Sequence, residues 1–276
     1  MHFATHKPAG GLGRWIVEVI HFRGFEPDHS VERLVPTGHP SIILALDGMA
    51  RHTYDNRSLE VQSTLHGGWV YGMHKHYLSI SAHPHSEMLV LRFQTPGAFA
   101  FLHEPMAHFA ERIIPLPDAL GGALQRLFDN VVAASDSAAK FAAVDAWLHE
   151  RYRPELDPPA ALVTLISALR ADPSIPFATL ATSYPHSHKT LIDHFKRHVG
   201  MTPKYFQRLL RCIAVFEELS EGRTLAWADL AQATGYTDQA HFIREFRHFS
   251  GFTPEAFRTA DYEPDATNYF PLDRDE

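Results

Sequence analysis

Gly200-Met-Thr-Pro-Lys-Tyr-Phe206 and Gly251-Phe-Thr-Pro-Glu-Ala-Phe257 are two copies of one seven-residue phrase, 51 residues apart. Each follows an amphipathic run ending in aromatic and basic residues, Leu191-Ile-Asp-His-Phe-Lys-Arg197 and Phe242-Ile-Arg-Glu-Phe-Arg-His248. Glycine reaches the left-handed backbone that ends one helix, threonine caps the next, and proline fits its first turn. Each phrase therefore predicts two helices joined through a cap. One such joint suits any helical protein; two in the same register behind matched helices mark an internal repeat.

Both units contain a further short helix. In the second, Trp227 to Thr234 is a helix candidate, Gly235-Tyr-Thr237 a turn, and Asp238 the cap of a helix running to about Phe249. In the first, Phe177 to Ser183, the turn Tyr184-Pro-His186 and a helix capped by Ser187 repeat the pattern. Two short helices across a tight turn, the second amphipathic with a basic outer face, describe a helix-turn-helix. Leu191 and Phe195 lie four apart and face inward, which leaves Lys189, Ile192, Asp193 and Lys196 for the other sides. Pro203 to Ser220 reads as one connecting helix of 18 residues, about 27 Å long at 1.5 Å per residue. Such a rod holds two recognition helices at a separation comparable with the roughly 34 Å turn of duplex DNA.

These residues resemble the AraC-type (AraC/XylS) transcriptional regulators over about residues 159 to 260. The resemblance is carried by Leu230-Ala-Gln-Ala-Thr-Gly-Tyr-Thr-Asp-Gln-Ala-His-Phe-Ile-Arg-Glu-Phe-Arg-His-Phe-Ser-Gly-Phe-Thr-Pro254 and by a more diverged first copy ending at Pro203. It implies a DNA-binding regulator rather than an enzyme, with double-stranded DNA and the transcription machinery as partners. It also implies a separate domain that senses a small organic effector or forms a homodimer. The family pattern places Lys189, Ile192 and Asp193 of the first unit, and Gln239, Ala240, Ile243 and Arg244 of the second, against DNA. Lys196, Arg197 and Arg247 supply neighbouring phosphate-facing charge. Ile192-Asp193 departs from the polar or basic residues common there, and Pro185 stands at a turn position that is often glycine. A carboxylate accepts from cytosine N4 and isoleucine packs on a thymine methyl, so neither excludes base reading.

Charge is local. Residues 158 to 260 hold 11 Lys or Arg against 9 Asp or Glu, whereas residues 1 to 157 hold 13 against 17. The last 16 residues carry one Arg and six acids, and the chain totals −7, which excludes a general polyanion binder. Arg153-Pro-Glu-Leu-Asp-Pro-Pro159, with three prolines in seven residues, marks a boundary. The expected division is 1–155 for sensing or dimerisation, 159–260 for DNA, and 261–276 as an acidic, flexible tail. No stretch approaches 18 apolar residues and no secretion signal opens the chain, so a cytoplasmic protein without membrane contact is expected. Cys212 is the single cysteine, which rules out an intrachain disulfide and suggests packing.

The first 115 residues alternate short β-rich runs with turns: Trp15 to Phe22, Ser41 to Leu46, Ser58 to Val61, Trp69 to Tyr71, Leu78 to Ile80 and Met88 to Phe93. They predict a small closed β-barrel, and from Pro117 to Tyr152 the period turns helical. The AraC-type resemblance makes that barrel cupin-like, and Glu32 to Asp47 resembles the start of sensory domains attached to such regulators. The expected fold is thus α+β with two domains: a cupin-like β-barrel with trailing helices, then an all-α domain of two helix-turn-helix units joined by a long helix. Trp69, Tyr71, His74, His76 and Arg92 are candidate effector contacts from inward strand faces. His74-Lys-His76 and His83-Pro-His85, with Glu87, offer side chains two apart that share one face of a strand. A metal-dependent cupin-type enzyme built on those five is the rival reading, as is a constitutive dimer without effector. No cofactor is expected.

Overall fold

The computed structural model describes residues 1–220, 226–259 and 269–272. Alternating apolar residues in the N-terminal half produce β1 (His2–His6), β2 (Ile16–Phe25), β3 (Val31–Leu34), β4 (Ser41–Ala45), β5 (Arg51–Tyr54), β6 (Val61–Leu65), β7 (Gly68–Tyr71), β8 (Leu78–Ser81), β9 (Ser86–Phe93) and β10 (Ile113–Pro115). A last strand, β11 (Tyr269–Pro271), lies in the stretch read from sequence as a tail and pairs antiparallel with β3. The strands form two sheets, β1-β2-β9-β4-β7-β10 and β11-β3-β8-β5-β6.

Neither sheet closes, which corrects the expected cupin-like barrel. β1 and β10 are the edges of one sheet, and β11 and β6 those of the other. The sheets instead pack through Ile20, Ile43, Trp69, Tyr71 and Val90 of the first and Leu34 and Ile80 of the second. Strand alternation reveals which residues face inward but not where an edge stops pairing. Of the expected strand Ser58 to Val61 only Val61 is in one, as the first residue of β6, because the Asp55 carboxylate accepts from the backbone N–H groups of Arg57 and Ser58, both at 2.9 Å, and closes a turn.

The outer face of the six-stranded sheet carries α1 (Phe99–Leu102), α2 (Ala123–Ala133) and α3 (Ser137–Arg151), whose Leu124, Leu127, Val131, Val144 and Leu148 join its core. The C-terminal half is helical: α4 (Ala160–Ala171), α5 (Phe177–Thr182), α6 (His188–His198), α7 (Pro203–Ser220), α8 (Trp227–Ala233), α9 (Gln239–Ser250) and α10 (Pro254–Thr259). Its core also contains Val35 and Met73 from the N-terminal half, so the two halves share apolar packing. Cys212 is buried in it, and burial pushes its thiol well above the ordinary range. Among the described residues no helix is long and apolar enough to cross a membrane.

The repeated joint has the local chemistry its sequence predicts. The Ser187 hydroxyl accepts from the Thr190 N–H at 3.2 Å, and the Asp238 carboxylate accepts from the His241 N–H at 2.7 Å, capping α6 and α9. Gly200 and Gly251 have φ of 92° and 77°. Both also abut the N-terminal half: a Cβ on Gly200 would sit 2.8 Å from the Met106 carbonyl oxygen, and one on Gly251 would sit 2.6 Å from the Tyr77 ring. Gly200→Ala is therefore expected to lower full-chain stability by about 1–3 kcal/mol, from positive φ and the backbone collision together. Urea unfolding measures this; an unchanged midpoint would show that neither constraint acts.

Candidate nucleic-acid interface and interior cavity

Amphipathic spacing settles which face each recognition helix shows. In α6, Leu191 and Phe195 are 1% and 0% exposed, and in α9 Phe242, Phe246 and Phe249 are all at 0%. The opposite faces carry the candidates named from sequence. Lys189, Asp193, Lys196 and Arg197 are exposed on α6, as are Gln239, Ala240, Arg244 and Arg247 on α9. Ile192 and Ile243 are half-buried, and Ile243 packs against the helical core.

Cationic side chains divide into bound and available groups. Arg208 of α7 grips the Glu245 carboxylate of α9 through two bonds, at 2.6 and 2.8 Å. That hydrogen bonding raises the Arg208 guanidinium pKa. Arg258 is likewise held by Glu255 at 2.7 Å. By contrast, Lys189, Lys196, Arg197, Arg244 and Arg247 enter no ion pair among the described residues. The first unit fixes its recognition helix differently, through a 2.6 Å bond between the Tyr184 hydroxyl and His194 Nδ1.

A cavity of about 120 Å³ lies between the two sheets. Trp69, Tyr71 and Arg92 line it as the strand pattern suggested, with Ile43, Ile80 and Val90 adding apolar wall. Its polar lining includes Glu32, Arg51 and Tyr269. Sequence reasoning missed these three: β3 and β5 lack a clean alternation, and Tyr269 lies in an acidic segment with no periodic pattern. Arg92 is paired with Glu18 at 2.8 Å and Arg51 with Asp47 at 2.6 Å, so both guanidinium charges are answered from within the protein. The Tyr71 hydroxyl is buried with no hydrogen-bond partner among the described residues, and burial drives its pKa strongly upward. The Tyr269 phenol is pushed up to about 12 by burial, with Glu32 adding to the shift.

His74 and His76 do not line the cavity. His74 stacks on Tyr71 with ring centres 4.4 Å apart, and burial holds it neutral, with its pKa at about 4. The five residues of the metal reading go separate ways. His76 approaches Glu111 at 3.7 Å, His83 meets the Ser81 hydroxyl at 3.0 Å, and His85 pairs with Glu26. Glu87 faces His21 at 3.0 Å and Lys140 at 3.8 Å. β7 ends at Tyr71 and β8 covers only Leu78–Ser81, so both histidine pairs fall in loops where strand alternation does not apply. Among the described residues no three His, Cys, Asp or Glu side chains form a metal-ligating group.

A buried hydroxyl without a partner costs stability, so Tyr71→Phe is expected to stabilise the unliganded chain by about 1 kcal/mol. Chemical denaturation tests it; a loss of similar size would mean that the hydroxyl already has a partner.

Residues 180–260 match the family described as "Helix-turn-helix domain", and residues 4–115 match "Domain of unknown function (DUF6597)". Comparison with curated proteins gave no match. Among solved structures, one of ToxT from Vibrio cholerae is 10% identical, covers 94% of this chain and 98% of its own, and has a TM-score of 0.48. Another, of ToxT from strain SCE256 with an unsaturated fatty acid bound, is 12% identical, covers 87% and 94%, and has a TM-score of 0.44. The C-terminal part of the chain thus carries a helix-turn-helix domain, and the sheet domain before it is similar to a domain family of unknown function.

Proposed function

We propose that this protein is a sequence-specific DNA-binding transcription regulator of the AraC type, whose sheet domain takes a small effector in the cavity between its two sheets. The observation that carries the first part is the pair of capped recognition helices presenting Lys189, Lys196, Arg197, Arg244 and Arg247 without ion partners among the described residues. An unanswered cation on a recognition helix is free to meet phosphate or a base edge. Arg244 is the reader of a guanine edge, because guanidinium pairs with O6 and N7 together. Asp193 takes the same position of the first unit and suits a cytosine N4 donor. With so few free cations per chain, a second copy on an adjoining site strengthens binding without new contacts.

Selection from a random duplex library at low salt, followed by footprinting, is expected to give two protected major-groove segments about one helical turn apart. Arg244→Ala should relax discrimination at one base pair by about 1–3 kcal/mol. Lys196→Ala should weaken all sequences alike and reduce the salt slope by about one. Failure to select any sequence would remove the DNA reading, and uniform losses from Arg244→Ala would move that residue to the phosphate class.

The effector part rests on the cavity's apolar wall and the unpartnered Tyr71 hydroxyl. A volume of about 120 Å³ is close to that of an engineered cavity that binds benzene, roughly 150 Å³. The occupant is accordingly a compact, mostly apolar molecule with one hydrogen-bonding group for Tyr71, and the paired state of Arg51 and Arg92 favours a neutral one. Phenol is a suitable probe. It is expected to raise the melting temperature of the full chain in a concentration-dependent way, with a weaker response in Tyr71→Phe and none in Ile43→Phe, which fills the space. Equal responses in all three would place phenol elsewhere and sink the cavity reading.

A further inference from the structure

β3 and β11 form the edge ribbon of the five-stranded sheet, with Tyr269 opposite Leu34, Phe270 opposite Arg33 and Pro271 opposite Glu32. Successive side chains of a strand point to opposite faces. On one face, Glu32, Leu34 and Tyr269 line the interior cavity. On the other, Val35 and Phe270 belong to the helical core, and the Arg33 guanidinium lies 4.0 Å from the centre of the Phe252 ring. The ribbon is therefore a partition one strand thick between the cavity and the DNA-reading half.

β11 also crosses between the halves by sequence. It lies beyond α10, yet its backbone pairs into the N-terminal sheet, and Leu272 N–H continues the ladder to the Val31 carbonyl at 2.9 Å. Phe270 enters an aromatic cluster from three elements. It stacks on Phe216 of α7 at 6.3 Å, and meets Phe257 of α10 at 5.1 Å and Phe252, between α9 and α10, at 5.7 Å. Phe216 in turn packs 4.8 Å from Phe246, on the buried face of recognition helix α9. Three side chains thus separate the cavity wall from the second reading head: Tyr269, its neighbour Phe270, and Phe216.

We infer that β11 is a docking strap, with Tyr269 as a direct effector contact and Phe270 as the tie that transmits cavity occupancy to the second helix-turn-helix unit. The inference rests on the effector reading given above. Two states define it. In the docked state seen here, Tyr269 forms part of the cavity wall and Phe270 packs α7 and α10 against the sheet. In the undocked state the cavity lacks that wall and the aromatic cluster lacks Phe270. A ligand that touches Tyr269 binds only the docked state with full contact, so it shifts the population toward docking. A three-residue edge strand has few ladder bonds to break, which keeps the two states close enough for a small ligand to choose between them.

Hydrogen exchange on the full chain tests the strap. Tyr269→Ala, a change on the cavity side, is expected to speed exchange in α7 and α10 roughly tenfold, and Phe270→Ala, on the helix side, to speed it in β3 and β8 by a similar factor. Phenol should slow exchange in α7 and α10 of the unsubstituted chain, and only in the cavity strands of Phe270→Ala. Substitutions that act solely on their own side would overturn the tie. Should either alanine variant unfold, Tyr269→Leu and Phe270→Leu carry the same test, with smaller crossed effects expected and their absence counting against the strap. If phenol leaves the unsubstituted chain unchanged while the crossed effects appear, the strap stands and the effector reading falls; the reverse result removes the strap alone.

Discussion

The placement of the two halves depends on β3 having no solvent face. All four of its residues are buried, Glu32 and Arg33 among them. A charge in such a strand must be answered on its own side. Glu32 meets His29 at 3.0 Å beside the cavity, and Arg33 lies over the Phe252 and Tyr77 rings on the helical side. The Glu32–His29 pair lies within the N-terminal half, whereas the Arg33 contact with Phe252 is lost if the helical half moves away, because Phe252 belongs to the joint that follows α9. The strand therefore contributes to the interface through Arg33 and through the apolar side chain of Val35 that follows it. Gly200 against Met106 and Gly251 against Tyr77 reinforce it from the helical side.

That dependence also explains what was and was not legible in the sequence. The two helix-turn-helix units and the helix joining them could be read almost to the residue, since caps, positive-φ glycines and apolar spacing are local and the repeat supplied each twice, whereas α4, outside the repeat, was not read. β2, β4, β7, β8 and β9 were legible as short apolar runs bounded by turns, although β4 and β7 are buried throughout and do not alternate. β3 was not: it is buried on both faces like β4 and β7, but Glu32 and Arg33 at its centre break the apolar run by which those strands were recognised. β11 was hidden for a related reason, since its partner is more than 200 residues away and its own segment is acidic. The error of closing the barrel follows from these two, because the edge of the second sheet is β11 and the layer covering that sheet is the helical half. The histidine pairs failed as a site because loops interrupted the strands their spacing had assumed.

The cavity shows the same division. Trp69, Tyr71 and Arg92 could be placed from strand parity, but their electrostatic character could not. Arg92 suggests an anionic guest until Glu18 is seen beside it, and Arg51 until Asp47 is seen. What remains unanswered is a neutral hydroxyl. This favours a guest recognised by shape and one hydrogen bond over one held by charge.

The two helix-turn-helix units are copies in backbone that differ in charge at matching positions. At the 51-residue offset, Arg244 corresponds to Asp193 and Glu245 to His194. In the second unit the Arg208 fork ties α9 to the connecting rod, so the angle of that helix follows α7. In the first, Tyr184 ties α6 to its own turn, so its angle follows its own unit. Because α7 also receives Phe216 contacts from Phe270, any movement of β11 reaches the second head before the first. The proposed DNA reading then gains a physical asymmetry: a unit with Arg244 outward whose posture is set by the interdomain seam, and a unit with Asp193 at the matching position whose posture is set locally. A shift at the seam would alter recognition at one half of the site while leaving the other engaged, which a rigid pair of identical heads could not do.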